Sequence, residues 1–83
     1  MKITVRTGGL LGKYLPAGSE NNRAEIEVPE DATPQQVMAQ LGVPLDGSYL
    51  ISLNGSAVPK AQRSEARLTE NDTLAIMPPL RGG

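Results

Sequence analysis

The chain contains no cysteine and no histidine. Those two absences exclude disulfides, the usual zinc and iron–sulfur ligand sets, a thiol nucleophile and an imidazole base. Aromatic residues are nearly missing too, Tyr14 and Tyr49 being the only two. Charge of either sign is not concentrated: the formal net charge is −1, and Lys2, Arg6, Lys13, Arg23, Lys60, Arg63, Arg67 and Arg81 are scattered along the chain. A nucleic-acid surface needs a basic stripe and stacking rings, so no nucleic-acid partner is expected. There is also no long apolar run, and the polar, charged start after Met1 argues against a signal peptide or a membrane span. Together with the missing disulfides this sets the expectation of a cytoplasmic protein with no membrane partner. At 83 residues the chain makes one domain, with no room for a second, regulatory one. A domain of this size buries only about 60 to 65% of its unfolded surface. Autonomous catalysis is not expected, nor is a metal site or a stably bound cofactor.

What the sequence does have is a distinctive end, Met77-Pro78-Pro79-Leu80-Arg81-Gly82-Gly83. At average glycine usage of about 7%, a terminal Gly-Gly arises in roughly one chain in two hundred, so the pair alone says little. Its context says more, because it closely follows an alternating run, Thr73 to Met77, that reads as a strand. Pro78 and Pro79 lack backbone N–H groups and fix φ near −65°, which stops sheet pairing and favours a stiff, extended spacer. Gly82 and Gly83 have no Cβ, so they suit a narrow channel in a partner. The terminal carboxylate, ionised at neutral pH, is the chain's most plausible chemical group. Arg81 and the apolar Leu80 turn the spacer into a docking peptide. The expected division is a folded domain over 1–77 and a flexible docking tail over 78–83.

The rest of the chain reads as support for that tail. Met1, Ile3 and Val5 alternate with Lys2, Thr4 and Arg6 as a half-buried strand that Gly8-Gly9 ends. Residues 7–22 form a long connection whose Leu10, Leu11, Tyr14 and Leu15 are expected to fold back on the sheet end. A phosphate-cradling reading of Gly8-Gly9-Leu10-Leu11-Gly12-Lys13 fails on spacing and on the missing Ser or Thr after Lys13. Ala24, Ile26 and Val28 alternate with Arg23, Glu25 and Glu27 up to Pro29, a second strand whose acids face water. Thr33, Pro34 and Gln36 spell a capped helix start, with Ala32 placed to staple on Val37. Gly42 supplies the left-handed stop, leaving Val37, Met38 and Leu41 to face the core.

Tyr49 to Leu53 is a third strand, Asn54-Gly55 a hairpin turn, and Val58 marks a short return strand that Pro59 confines to an edge. Residues 60–71 read as a polar surface excursion anchored by Leu68, before Asn71-Asp72 turns into the last strand. The expected core is Ile3, Val5, Ile26, Val28, Val37, Met38, Leu41, Ile51, Leu53, Leu68, Leu74 and Ile76. On the opposite face Leu50, Ala75 and Met77, next to Leu80, form an apolar patch of the kind that meets a partner. One short helix crossing one face of a small mixed sheet is the economical way to bury these strands, an α+β fold.

This order, with Leu53-Asn54-Gly55, Leu68, Asn71-Asp72-Thr73-Leu74, Ile76-Met77-Pro78-Pro79-Leu80 and Gly82-Gly83, resembles the ubiquitin-like β-grasp sulfur carriers of the MoaD/ThiS type across essentially the whole chain. The Pro78-to-Gly83 ending is most similar to the small subunit of molybdopterin synthase. Val58-Pro59-Lys60 after the turn is closer to the thiamine-pathway carriers, and Arg81-Gly82-Gly83 resembles the end of ubiquitin. Two departures stand out: Asn71 occupies a position where the family usually has glycine, and the helix region is short. The resemblance implies a β-grasp sheet of four to five strands with the last strand central and parallel to the first.

It also implies that Gly83 is adenylated by a ubiquitin-activating-like enzyme, which uses ATP and Mg²⁺, and is then converted to a thiocarboxylate. Sulfur then leaves for a pterin or a thiazole precursor, with molybdopterin synthase's large subunit or another sulfur acceptor enzyme as the partner. Partner contacts then fall on Gly82, Arg81, Leu80, Pro79, Met77, Ala75 and Leu50, and the chain is a substrate or small subunit, not itself an enzyme. Chemically this is consistent: a carboxylate is a poor electrophile until AMP is attached, and a thiocarboxylate is a soft nucleophile. The alternatives are a ubiquitin-like modifier conjugated through Gly83, a thiamine-pathway carrier, and an interaction module with an idle tail.

Overall fold

The alternating start of the chain becomes strand β1 (Lys2–Thr7), and four further strands follow it: β2 (Arg23–Glu27), β3 (Leu50–Leu53), β4 (Ser56–Ala57) and β5 (Thr73–Met77). A single α-helix, α1 (Pro34–Leu41), lies between β2 and β3. This is a computed structural model, and it describes residues 1–44 and 49–78. The five strands form one sheet in the order β2-β1-β5-β3-β4. β5 sits in the middle, parallel to β1 and antiparallel to β3, while the β1–β2 and β3–β4 pairs are antiparallel. The last strand is therefore central, and no residue of it is fully exposed.

Each expected start and stop signal of α1 is present. Thr33 Oγ1 accepts from the Gln36 N–H at 3.2 Å while Gln36 Oε1 accepts from the Thr33 N–H at 2.9 Å, a reciprocal cap. Gly42, at φ 81°, ends the helix in the left-handed region, and the Val43 N–H closes the cap by donating to Met38 O at 2.9 Å. An eight-residue helix has little stability in isolation. It holds because Val37 and Met38 bury against Ile3, Val5, Ile26, Leu74 and Ile76 in one apolar cluster.

Ten of the expected core positions are buried; Leu41 and Leu53 are only half-buried, packing at the margin of that cluster. Leu41 occupies the last turn of α1 and Leu53 precedes the exposed Asn54-Gly55 turn, so each has one open side. Leu11, Leu15, Ala32, Val43 and Val58 complete the core. The 7–22 connection folds into a 3-10 helix, Gly9–Tyr14, which turns Leu11 and Leu15 inward. Leu10 does not fold back as expected and is 88% exposed, because the tight turn cannot point Leu10 and Leu11 the same way.

Residues 60–71 also depart from a purely polar surface excursion. A second 3-10 helix, Lys60–Gln62, leads into Arg63, whose side chain is only 9% exposed. Its guanidinium donates to Tyr49 O, and its carbonyl accepts from the Gln35 N–H at 3.0 Å, tying the segment to the residue that precedes β3 and to α1. Leu68 is buried as expected, with its N–H donating to Ala32 O at 2.8 Å.

The hairpin turn and the start of β5 are welded together. Asn54 and Gly55 both have positive φ, 51° and 87°, the geometry that lets two residues join twisted strands. Asn54 Nδ2 donates to Asp72 Oδ1 at 2.9 Å, and Asn54 Oδ1 accepts from the Thr73 N–H at 2.9 Å. Asp72 Oδ2 accepts from the Thr69 N–H at 2.7 Å, and Asn71 adopts the left-handed turn at φ 69°, a conformation that asparagine tolerates almost as glycine does.

Burial of the Asp72 carboxyl works against its charge, but the hydrogen bonds from Asn54 and Thr69 outweigh it and hold the pKa below the ordinary 3.8. A lowered folded-state pKa means stability that is complete above the unfolded value and lost as pH falls through the folded one. Asp72→Asn is expected to cost about 1–2 kcal/mol at neutral pH. The gap between the two proteins' denaturant midpoints should close as pH drops below 3.8. A gap that stays constant with pH would show that the charge plays no part.

Candidate functional site

The site is built where β5 leaves the sheet. Alternation along β5 sends Leu74 and Ile76 into the core and leaves Ala75 and Met77 half-buried on the face away from the core. Register then decides their neighbours: Met77 is paired with Leu50, and Ala75 lies between Ser52 on one side and Arg6 on the other. Cross-strand partners share a face, so this row runs Arg23, Arg6, Ala75, Ser52, Ala57 across all five strands. Leu50 is 46% exposed, one of two large apolar side chains so open among the described residues.

The expected patch of Leu50, Ala75 and Met77 is therefore brought together on the open face, and the 7–22 connection does not cover Leu50. Beside it lies a groove of 460 Å³ bordered by Leu50, Ser52, Ala57, Pro59, Lys60 and Met77. The corner is thus apolar at its centre and cationic at its margins, with Arg6 and Arg23 on one side and Lys60 on the other. Sequence reading missed those three basic residues as part of the site. The outward position of Arg6 and Arg23 was visible from alternation, but their alignment with Ala75 depends on pairing between β2, β1 and β5.

Pro78 is exposed and ends the ladder, since it has no N–H to donate. The remaining predicted site residues, Pro79, Leu80, Arg81, Gly82 and Gly83, lie outside the described residues. Where β1 ends, the Gly8 N–H donates to Ile76 O at 3.2 Å and carries the β1–β5 pairing one step past Thr7. Gly8 O in turn accepts from the Leu11 N–H at 3.1 Å, opening the first 3-10 helix. The glycine-rich stretch after β1 is thus a structural turn against β5, and Lys13 lies over the Tyr14 ring at 5.3 Å.

No other described group offers chemistry of its own. Glu25 and Glu27 stand exposed on β2, as the alternation implies. No helix among the described residues is long and apolar enough to cross a membrane.

Comparison with known proteins agrees with this geometry. Over its full length the chain superposes on SAMP1 of Haloferax volcanii, also covered completely, with a TM-score of 0.69 at 23% identity. It superposes equally completely on a chain of the complex of subunits 1 and 2 of the molybdopterin-converting factor from Helicobacter pylori 26695, with a TM-score of 0.65 at 20% identity. A putative molybdopterin converting factor subunit 1 from Pyrococcus furiosus gives a TM-score of 0.70 at 20% identity, over 95% of this chain and 98% of that one. At such identities the likeness establishes the ubiquitin-like β-grasp fold. No curated protein matches the sequence itself. The model of the ThiS family matches residues 15–83, a span that takes in α1, the central β5 and the Gly82-Gly83 end. With the fold and that match in agreement, the chain belongs to the ThiS family and has the ubiquitin-like β-grasp fold.

Proposed function

We propose that this protein is a sulfur carrier that works through the terminal carboxylate of Gly83. A ubiquitin-activating-like enzyme supplies ATP and Mg²⁺; a carboxylate oxygen attacks the α-phosphorus, pyrophosphate leaves, and Gly83 becomes an acyl adenylate. Hydrosulfide then attacks the acyl carbon, AMP leaves and the proton passes to solvent, giving a thiocarboxylate, which donates its sulfur in the biosynthesis of a cofactor, molybdopterin before others. The catalytic groups belong to the partners, and this chain supplies the acyl group and the docking surface. The observation that carries the reading is the central β5, which ends at the exposed Pro78 beside the open apolar corner of Leu50 and Met77. That arrangement suits a tail presented to another protein from a rigid sheet.

The Helicobacter complex of two molybdopterin-converting-factor subunits supports a large-subunit partner for this chain. A second reading has its own support: the Haloferax likeness is to a protein called small archaeal modifier protein 1, which favours conjugation through Gly83 to amines of other proteins. Intact-mass analysis of the protein purified from its own cells separates the two. The carrier reading expects a species in which one terminal oxygen is replaced by sulfur. Covalent adducts on lysines without any such species would replace it with the modifier reading.

The apolar corner has a test of its own. Met77→Asp introduces a charge on the open face without touching the core, so folding should persist. Affinity for the activating enzyme, measured by titration calorimetry, should fall by about tenfold or more, since truncating or charging a central interface residue costs upwards of about 1–2 kcal/mol. Unaltered affinity would remove the corner from the interface.

A further inference from the structure

Among the described glycines, Gly8 comes nearest to Pro78, the point where the tail leaves the sheet. Its backbone is extended, at φ −118° and ψ 155°, so no unusual torsion demands glycine there. Space does. A Cβ at Gly8 would lie 2.7 Å from Met77 Sδ and 3.0 Å from Pro78 Cδ. These two contacts differ in kind. The thioether sits far out on a flexible side chain and can swing away, whereas Cδ of proline is bonded to the backbone nitrogen and moves only with the chain.

Gly8 itself cannot retreat freely, because its N–H holds Ile76 O and its carbonyl holds the Leu11 N–H. Thr7, just before it, is tied in turn by its N–H to Asn22 O at 2.8 Å. Behind Gly8 the backbone is therefore fixed to the sheet, and in front of it stands the Pro78 ring. Gly9, at φ 56°, adds a looser contact, since a Cβ there would reach Pro78 Cγ at 3.5 Å.

We propose that Gly8 is a positioning residue for the tail: its bare backbone is the abutment against which Pro78 rests, and it sets the direction in which the chain leaves β5 toward the partner's active site. The proposal rests on the carrier reading above for its chemical consequence. Five residues separate Pro78 from the terminal carboxylate, about 15 Å when extended at about 3.1 Å per residue. A small tilt at Pro78 is multiplied along that length, and misplacement of about 1 Å at a reacting atom can cost about a hundredfold in rate.

The test is a double-mutant cycle on the full chain with the activating enzyme that adenylates it, followed by ATP–pyrophosphate exchange. Gly8→Val is expected to lower kcat about tenfold while KM for the carrier changes by less than about twofold. Gly8→Ala should fall between Gly8→Val and wild type, and Leu10→Ala, exposed on the adjoining turn, should match wild type. In a Pro78→Ala background, where the ring is gone, Gly8→Val should lose most of its effect. A merely structural role would lower the denaturant midpoint but leave kcat of the folded protein unchanged.

An unchanged kcat in Gly8→Val, or the same fold loss with and without the Pro78 ring, overturns the proposal; should Gly8→Val fail to fold, Gly8→Ala carries the same cycle. If wild type is not adenylated by any such enzyme, the carrier reading falls, and positioning is then decided by the amide chemical shifts of Leu80 to Gly83. Shifts that move in Gly8→Ala but not in Leu10→Ala sustain it, and shifts unmoved in both overturn it.

Discussion

Adding one residue after Gly83, or deleting Gly83, is expected to abolish acyl-adenylate formation by the activating enzyme while leaving the fold intact. The physical basis is reach. The reacting oxygens belong to the last residue, and they must lie in line with the α-phosphorus of a nucleotide held in another protein. An added residue carries the carboxylate about 3.5 Å onward and leaves an amide, which is not nucleophilic, where the oxygens belonged. Deletion falls short by the same length. Since a misplacement of about 1 Å can cost about a hundredfold, either change should remove activity below detection. Gly82→Val should act in the same direction through sterics, because a β-branched side chain widens a segment suited to a narrow channel.

The fold should not respond, because glycine has no side chain to lose from the core that runs from Ile3 to Ile76. The measurement is adenylation by intact mass and ATP–pyrophosphate exchange, with the denaturant midpoint as the control for folding. An extended protein adenylated and sulfurated at the wild-type rate, without prior trimming, would require the carrier mechanism to be abandoned.

Leu74→Ala is expected to produce the largest loss of stability. Leu74 has no exposed surface, and it lies on the central strand, paired with Val5 of β1 on one side and Leu53 of β3 on the other. Its side chain points into the cluster that also contains Met38, Val37 and Leu68. Removing the isopropyl end of the side chain leaves a void that no loop can fill, since strands bonded on both edges cannot collapse into it. The expected cost is about 2–5 kcal/mol. A domain of this size has about 4–12 kcal/mol in total, so the loss is a large share of the whole. Urea denaturation should show a lower midpoint at an unchanged slope, and an unchanged midpoint would refute this placement of the core.

The two substitutions separate the protein's two tasks. Leu74 supports the sheet from which the tail is presented, and its loss reduces the folded population without altering what the tail can do. Gly83 carries the proposed chemistry, and its displacement leaves the sheet as it was. Met77 stands between them, on the central strand yet facing outward.

Much of this was legible in the sequence because the signals are local. The helix start at Thr33, Pro34 and Gln36 is a hydrogen-bond pattern completed within four residues, and the stop at Gly42 needs only a left-handed torsion. Period-two alternation in β1, β2 and β5 names the inward residues without knowledge of any partner strand. The same alternation put Leu50, Ala75 and Met77 on the face opposite the core.

What the sequence could not decide were the matters that depend on contacts between distant residues. Nothing local to Arg63 distinguishes it from Arg67, yet one is buried against Tyr49 O and the other is exposed, because only Arg63 follows a tight 3-10 turn that aims it beneath β3. Leu10 and Leu11 are chemically identical neighbours, and their separation into solvent and core follows from the turn that begins at Gly8. Gly8 read as a strand breaker, and its contact with Pro78 exists only because β1 and β5, far apart in the chain, lie side by side and parallel. The sequence by itself determined which residues of the strands and of α1 face inward, since period and capping act over a few bonds. Tertiary structure alone decided which residues surround the exit of the tail, since register between strands is set by the packing of the whole sheet.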